Sequence, residues 1–189
     1  PSMPQSVCVS TRNNGVYVSS DALYLMATDY SSDFTRSAIH KFSFNEQQVE
    51  YKASGVVDGF FGSNNPSFVL GQQGDTLFAV TSQVTADSRT HKLYSLQEDA
   101  TNQTLDIVAQ LPNDARPDPI GKPNESIMAV RYFDKRAYVV TFERIDPLYA
   151  IDLTDATDPF IAGELEIPGF SSYLHPINEN LVIGVGQQV

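Results

Sequence analysis

The chain is 189 residues long, 41% hydrophobic and 19% charged, the profile of a folded domain with a sizeable core and not of a disordered segment. Its formal net charge is −11, and its 12 basic residues are scattered, which excludes nucleic-acid binding through clustered Lys and Arg and argues against an anionic membrane surface. Cys8 is the only cysteine, so no intrachain disulfide can form, and no apolar run approaches the roughly 18 residues of a membrane-spanning helix.

In chain order, Ser6–Thr11 offers one short strand. A first unit follows, with strands near Val16–Ser19, Leu23–Thr28, Ser37–Phe44 and Val49–Val57. A second has strands near Ser67–Leu70, Leu77–Thr81, His91–Gln97 and Leu105–Leu111. A third runs through Ile127–Phe133, Ala137–Thr141, Leu148–Leu153 and Phe160–Ile167. Two more strands, Tyr173–Ile177 and Leu181–Val185, begin a fourth. Polar turns at Ser20-Asp21, Gly74-Asp75, Asp134-Lys135 and Glu179-Asn180 close the first hairpin of each unit. No window carries a helical period of useful length.

The second strands superpose. Tyr24, Phe78, Tyr138 and Val182 become equivalent, at spacings of 54, 60 and 44 residues. These strands are apolar on nearly every residue, as a strand covered on both faces requires, whereas Val49–Ala53 alternates. Four strands in about 45 residues is the size of one β-propeller blade. The sequence therefore predicts an all-β fold, a β-propeller fragment of about three and a half four-stranded antiparallel blades, at approximately 15–58, 67–111, 125–168 and a half blade at 173–189. A ring needs roughly 4–8 blades, so the chain is expected to be a piece of a longer propeller or to close through another copy. Its open blade edges would then permit self-association. The longer loops 29–36, 59–66 and 112–123 are expected to be contact surfaces.

Ala129–Phe133, Arg136–Phe142, Asp146–Leu153, Gly163–Phe170, Tyr173-Leu174-His175-Pro176 and Leu181–Gly186 occur in the order seen in one family. The chain resembles the secreted bacterial and archaeal proteins with a C-terminal β-propeller domain, distantly similar to WD40 repeats. The match is dense over Glu125–Gly186, thinner over Val16–Gly59 and weak over Phe60–Pro123. The resemblance implies an extracytoplasmic location, secreted or in the periplasm or cell envelope, with any signal outside this sequence. It also implies a longer parent protein. It implies no activity. There is no Trp, hence no Trp-Asp dipeptide of true WD40 repeats.

His40 and His91, each followed by Lys, are expected at matching positions on third strands, where repetition indicates a structural role. His175 lies on a first strand, near the ring axis, where propellers often bind ligands. Arg131 lies on the equivalent strand of the previous unit and needs a partner: Glu143 or Asp146, or an anionic ligand. Asp152, Asp155 and Asp158 lack the alternating ligands, Gly and distal Glu of a calcium loop and read as Asx turns. No nucleophile elbow, phosphate loop, HExxH or CxxC is present. No cofactor or metal is implied. The pattern predicts a non-catalytic binding or scaffold module with a protein or glycan partner. The alternative is a hydrolase or lyase at the channel mouth, using Glu143 and Asp146 as a carboxylate pair.

Overall fold

The computed structural model describes residues 8–11, 15–30, 35–44, 48–62, 68–142, 146–167, 170–178 and 181–187. Among them fourteen strands form. The first unit holds β1 (Gly15–Val18), β2 (Ala22–Asp29), β3 (Arg36–Phe44) and β4 (Val49–Asp58). The second holds β5 (Leu70–Gln73), β6 (Thr76–Val84), β7 (Arg89–Asp99) and β8 (Thr104–Leu111). The third holds β9 (Ser126–Phe133), β10 (Arg136–Phe142), β11 (Asp146–Asp152) and β12 (Phe160–Ile167). β13 (Phe170–Asn178) and β14 (Leu181–Gln187) form a final hairpin. This is the all-β, blade-by-blade architecture that the sequence predicts.

Each four-stranded unit is an antiparallel meander in chain order, with its first strand at one edge and paired to the second: Tyr17 opposite Tyr24, Gly71 opposite Phe78 and Arg131 opposite Tyr138. The first two units are joined along their fourth strands by one parallel bridge, Ser54 to Thr104. The hairpins close where their residues permit it. Gly74 (φ 54) and Asp134 (φ 49) adopt the left-handed conformation between first and second strands, Gly because it has no Cβ and Asp because its short polar side chain tolerates that region. In the first unit Ser19 Oγ accepts the Ala22 amide at 3.0 Å instead.

Units pack face to face, and that explains which strands are wholly apolar. β6 and β10, the second strands of the second and third units, are buried on nearly every residue because a neighbouring unit covers each face. The expectation of two-sided cover for every second strand is corrected at the ends. β2 alternates until Met26, and β14 is exposed at all positions but Val182, because one face of each has no neighbouring unit among the described residues. The main core runs through Tyr24, Phe78, Leu93, Val130 and Tyr149. Burying one such side chain contributes about 1.5–3 kcal/mol. A second cluster, Ala129, Tyr138, Val140 and Leu174, seats the final hairpin against the third unit.

The seams between units carry a repeated polar device. In the first unit Thr28 Oγ1 and Ser37 Oγ lie 2.8 Å apart, and Ser37 donates to the Gly59 carbonyl at 2.7 Å. In the second, Ser82 Oγ and His91 Nδ1 lie 2.9 Å apart, and His91 Nε2 meets the Glu125 carbonyl at 2.9 Å. Ser37 and His91 are therefore equivalent, each nine residues after its hydroxyl partner. His40 pairs with Leu25 and stands three residues further on, so the matching His-Lys positions are corrected. His40 is half-buried near the Tyr51 hydroxyl, 3.4 Å away. Gly59 (φ 92) and Gly121 (φ 86) turn the chain over these relays, where a Cβ would press on Ser82 and Thr81 or on His91 and Thr141.

Candidate functional site

The first strands of successive units converge, and their side chains build a cleft. Tyr17 of β1 accepts the Gln72 amide of β5 at 3.0 Å. Tyr132 of β9 donates to the Val69 carbonyl at 3.0 Å, and its ring stacks on Phe78 with centroids 6.3 Å apart. A Cβ on Gly71 would fall inside the Tyr132 ring, so this crossing requires glycine. Burial holds the Tyr132 hydroxyl well above the usual phenol range. Between these strands opens a cavity of about 230 Å³, lined by Phe68, Gln73, Arg131, Tyr132 and Asp134 among others.

Arg131 is the centre of the arrangement. Its Nε donates to the Leu174 carbonyl at 2.9 Å and its Nη1 to its neighbour's carbonyl, Val130, at 2.8 Å. The guanidinium carbon lies 3.3 Å from the Phe68 ring centroid and 4.7 Å from that of Tyr173. Tyr173 in turn stacks on His175, with centroids 6.1 Å apart, and its hydroxyl sits 3.2 Å from His175 Nδ1. Four planar groups from three successive units thus form one row: Phe68, Arg131, Tyr173, His175. Burial pulls the Arg131 guanidinium below its ordinary value and Tyr173 opposes that shift, so the group stays cationic.

The sequence-predicted residues fare unequally. Arg131 and His175 come together through Tyr173 on adjoining first strands. Among the described residues Arg131 takes carbonyl and aromatic partners, and the expected pairing with Glu143 or Asp146 falls on side chains outside them. Glu143 lies outside the described residues. Asp146 opens β11 opposite Ile167, with its side chain outside the described set. Asp152 and Asp155 each accept the amide two residues on, at 2.8 Å, and Asp158 takes Arg116 in a two-bond fork at 2.7 and 2.5 Å. These are turn and seam contacts. Phe68, Tyr173 and Gln73 were missed because nothing local marks them; only the convergence of first strands gives them a role. Gln73 Nε2 is buried in the cleft wall with no hydrogen-bond partner among the described residues.

Two other places have geometry of a different kind. Ser82, His91 and Glu125 superficially resemble a nucleophile–base–acid set, but all three are buried, and both imidazole nitrogens are already used. Nε2 meets a carbonyl and so carries the proton, leaving Nδ1 to accept from Ser82. The Glu125 carboxylate instead accepts Thr141 Oγ1 at 2.5 Å and the Lys122 amide at 2.8 Å. Burial pushes His91 down to about 4, with nearby Arg89 acting in the same direction and the Glu125 carbonyl opposing it. A buried, saturated, neutral histidine is a structural bridge. The second place, a wide hollow of about 720 Å³ by Tyr30, Arg36 and Val56, lies on the uncovered face of β2–β4. Of the longer loops, 112–123 is anchored at three points, where Ile120 is buried, Arg116 holds Asp158 and Lys122 bonds Glu166, while Asp114, Ala115, Pro117, Asp118 and Pro119 remain exposed.

Among the described residues, no three His, Cys, Asp or Glu side chains converge as metal ligands, and no helix is long and apolar enough to cross a membrane. A family model described as "Beta propeller domain" matches residues 2–189. An uncharacterised protein of Methanocaldococcus jannaschii is 41% identical over 101 residues, which are 53% of this chain and 14% of that protein. An uncharacterised protein of Archaeoglobus fulgidus is 51% identical over 65 residues, 34% of this chain and 10% of that protein. The chain thus spans only about a seventh and a tenth of the lengths of these curated relatives.

Proposed function

The chain belongs to the β-propeller domain family, and from that premise we propose that it is a non-catalytic binding module whose ligand is taken up at the first-strand cleft around Arg131. The observation that carries this reading is the row Phe68–Arg131–Tyr173–His175, set beside a Gln73 donor that has no partner among the described residues. Phe68 and Tyr173 are 38% and 41% exposed. A protein that leaves two aromatic rings open to solvent around a desolvated cation keeps recognition surface that stability alone does not require. Rigid seams around a small polar-apolar cleft suit recognition.

The setting outside the cytoplasm, in the envelope or secreted, is part of the same proposal and is supported by the resemblance of Glu125–Gly186 to secreted propeller proteins. Fractionation of source cells with an antibody against this domain tests it; recovery of the protein solely in the cytoplasm would refute it. The binding reading is tested by a thermal-shift screen of mixed small molecules, peptides and glycans on the chain and on Phe68→Ala. A stabilising ligand that loses its effect in the variant is expected. Turnover of a glycan or peptide by the purified protein, abolished by Glu143→Gln, would replace this reading with a hydrolytic one.

A further inference from the structure

We propose that the cleft between β5 and β9 receives one ring of a neutral saccharide, an inference that rests on the binding reading above and names its ligand class. The cavity of about 230 Å³ is below the roughly 300–1,000 Å³ of sites that enclose drug-sized molecules. It has the room of about eight waters at about 30 Å³ each, which suits a single ring entering from a chain end and not a nucleotide or an extended peptide.

The wall chemistry selects the class. Phe68, 38% exposed with Arg131 against its ring, and Tyr132, its ring pressed on Gly71, line the same cleft. Such apolar walls match the C–H groups of a pyranose. The polar groups are of mixed kind. Arg131 has Nη N–H groups beyond those given to Val130 and Tyr173, Gln73 Nε2 is a buried donor without a partner among the described residues, and Asp134 lines the same cleft. A hydroxyl is both donor and acceptor, so adjacent ring hydroxyls satisfy this set where an all-acceptor or all-donor ligand would not. Asp134 holds its place through a left-handed turn (φ 49) that keeps it at the head of the β9–β10 hairpin.

Charge narrows the class further. An anionic ligand would gain Arg131 but meet Asp134 in the same cleft, in the field of a chain with net charge −11. A cationic ligand would meet Arg131. A neutral polyhydroxylated ring pays neither cost and fills the donor vacancy at Gln73.

The test is an amide NMR titration of the full 189-residue chain with methyl α-mannoside, methyl β-galactoside and methyl β-glucoside, each compared with glucuronate and galacturonate. At least one hexoside should shift Gly71, Gln73 and Asp134 saturably and bind at least tenfold more tightly than either uronate. Asp134→Asn keeps the turn conformation within reach, and Gln73→Ala keeps the backbone bonds. Both should weaken the hexoside at least fivefold at an unchanged urea midpoint for Asp134→Asn. Tighter binding of a uronate, or hexoside binding indifferent to both substitutions, overturns the inference. If no hexoside binds but a peptide or other small molecule occupies the cleft in a Phe68-dependent way, the ligand class is wrong and the binding reading stands. If no ligand class perturbs the cleft, both fall.

Discussion

Ser37 and His91 occupy the same place in successive blades and do the same work with different chemistry. Each takes a hydroxyl partner from the neighbouring second strand, Thr28 or Ser82, and meets a carbonyl of the segment leading onward, Gly59 or Glu125. The relay satisfies buried polar groups where the chain leaves one unit for the next, and backbone groups there have no ladder to join. An alcohol suffices at the first seam, where the carbonyl is 2.7 Å away; the longer imidazole spans to the third unit at the second.

His91 makes stability depend on pH. Its folded value is lowered from 6.5 to about 4, mainly by burial, so the unfolded chain binds the proton more readily than the folded one. Its contribution is therefore fully present above pH 6.5 and is lost as pH falls from there towards 4, amounting to about 3 kcal/mol when complete. Urea midpoints should fall between pH 6.5 and 5, before most carboxylates titrate. His91→Gln should flatten that slope while lowering the plateau.

Removing the first relay should cost stability non-additively. Ser37→Ala leaves the Gly59 carbonyl without its 2.7 Å donor and strands Thr28 Oγ1 from the same partner, at a cost of about 1–3 kcal/mol. Thr28→Val alone should cost less, and the double variant less than the sum, because both substitutions break one network. A double-mutant cycle by urea unfolding measures the coupling.

Two glycines separate steric from conformational need. Gly71→Ala drives a methyl into the Tyr132 ring and should destabilise by about 1–3 kcal/mol, as overpacking does. Gly74 has open space around it but sits at φ 54, so Gly74→Ala should cost about 1 kcal/mol and Gly74→Asn less. Unfolding midpoints of the three variants give the order directly.

Arg131→Met should loosen one hairpin and not the whole protein. The substitution removes the 2.9 Å bond to the Leu174 carbonyl and the stacking on Tyr173, which help hold β13–β14 against the third unit. Hydrogen exchange should accelerate across 170–187 by several-fold, with β6 and β10 unchanged, because local opening follows local contacts.

Much of this was legible in the sequence. Alternation and turn residues locate the strands, and the Tyr24–Phe78–Tyr138 alignment fixes the register of the hairpins, since a one-residue slip would expose every core side chain. Even the weakly matching second unit follows its own periodicity. The relay is half visible: the nine-residue spacing of Thr28–Ser37 and Ser82–His91 marks it, but the repeated His-Lys dipeptide points three residues away to His40. The partners of Arg131 could not be read, because Phe68 and Tyr173 lie 63 and 42 residues off in sequence and meet it only when three first strands converge. Burial of Glu125 was hidden for the same reason.

Under the proposed function, recognition belongs to the first-strand cleft and not to the peripheral loops. Amide NMR mapping of the chain with a mixed library of methyl hexosides, amino acids and short peptides tests it most directly. The account predicts that ligand-induced shifts cluster at Gly71, Gln73, Tyr132 and Asp134 and vanish in Phe68→Ala. Shifts confined to Tyr30, Phe60 and Asn113–Arg116, with the cleft amides unmoved, would contradict it.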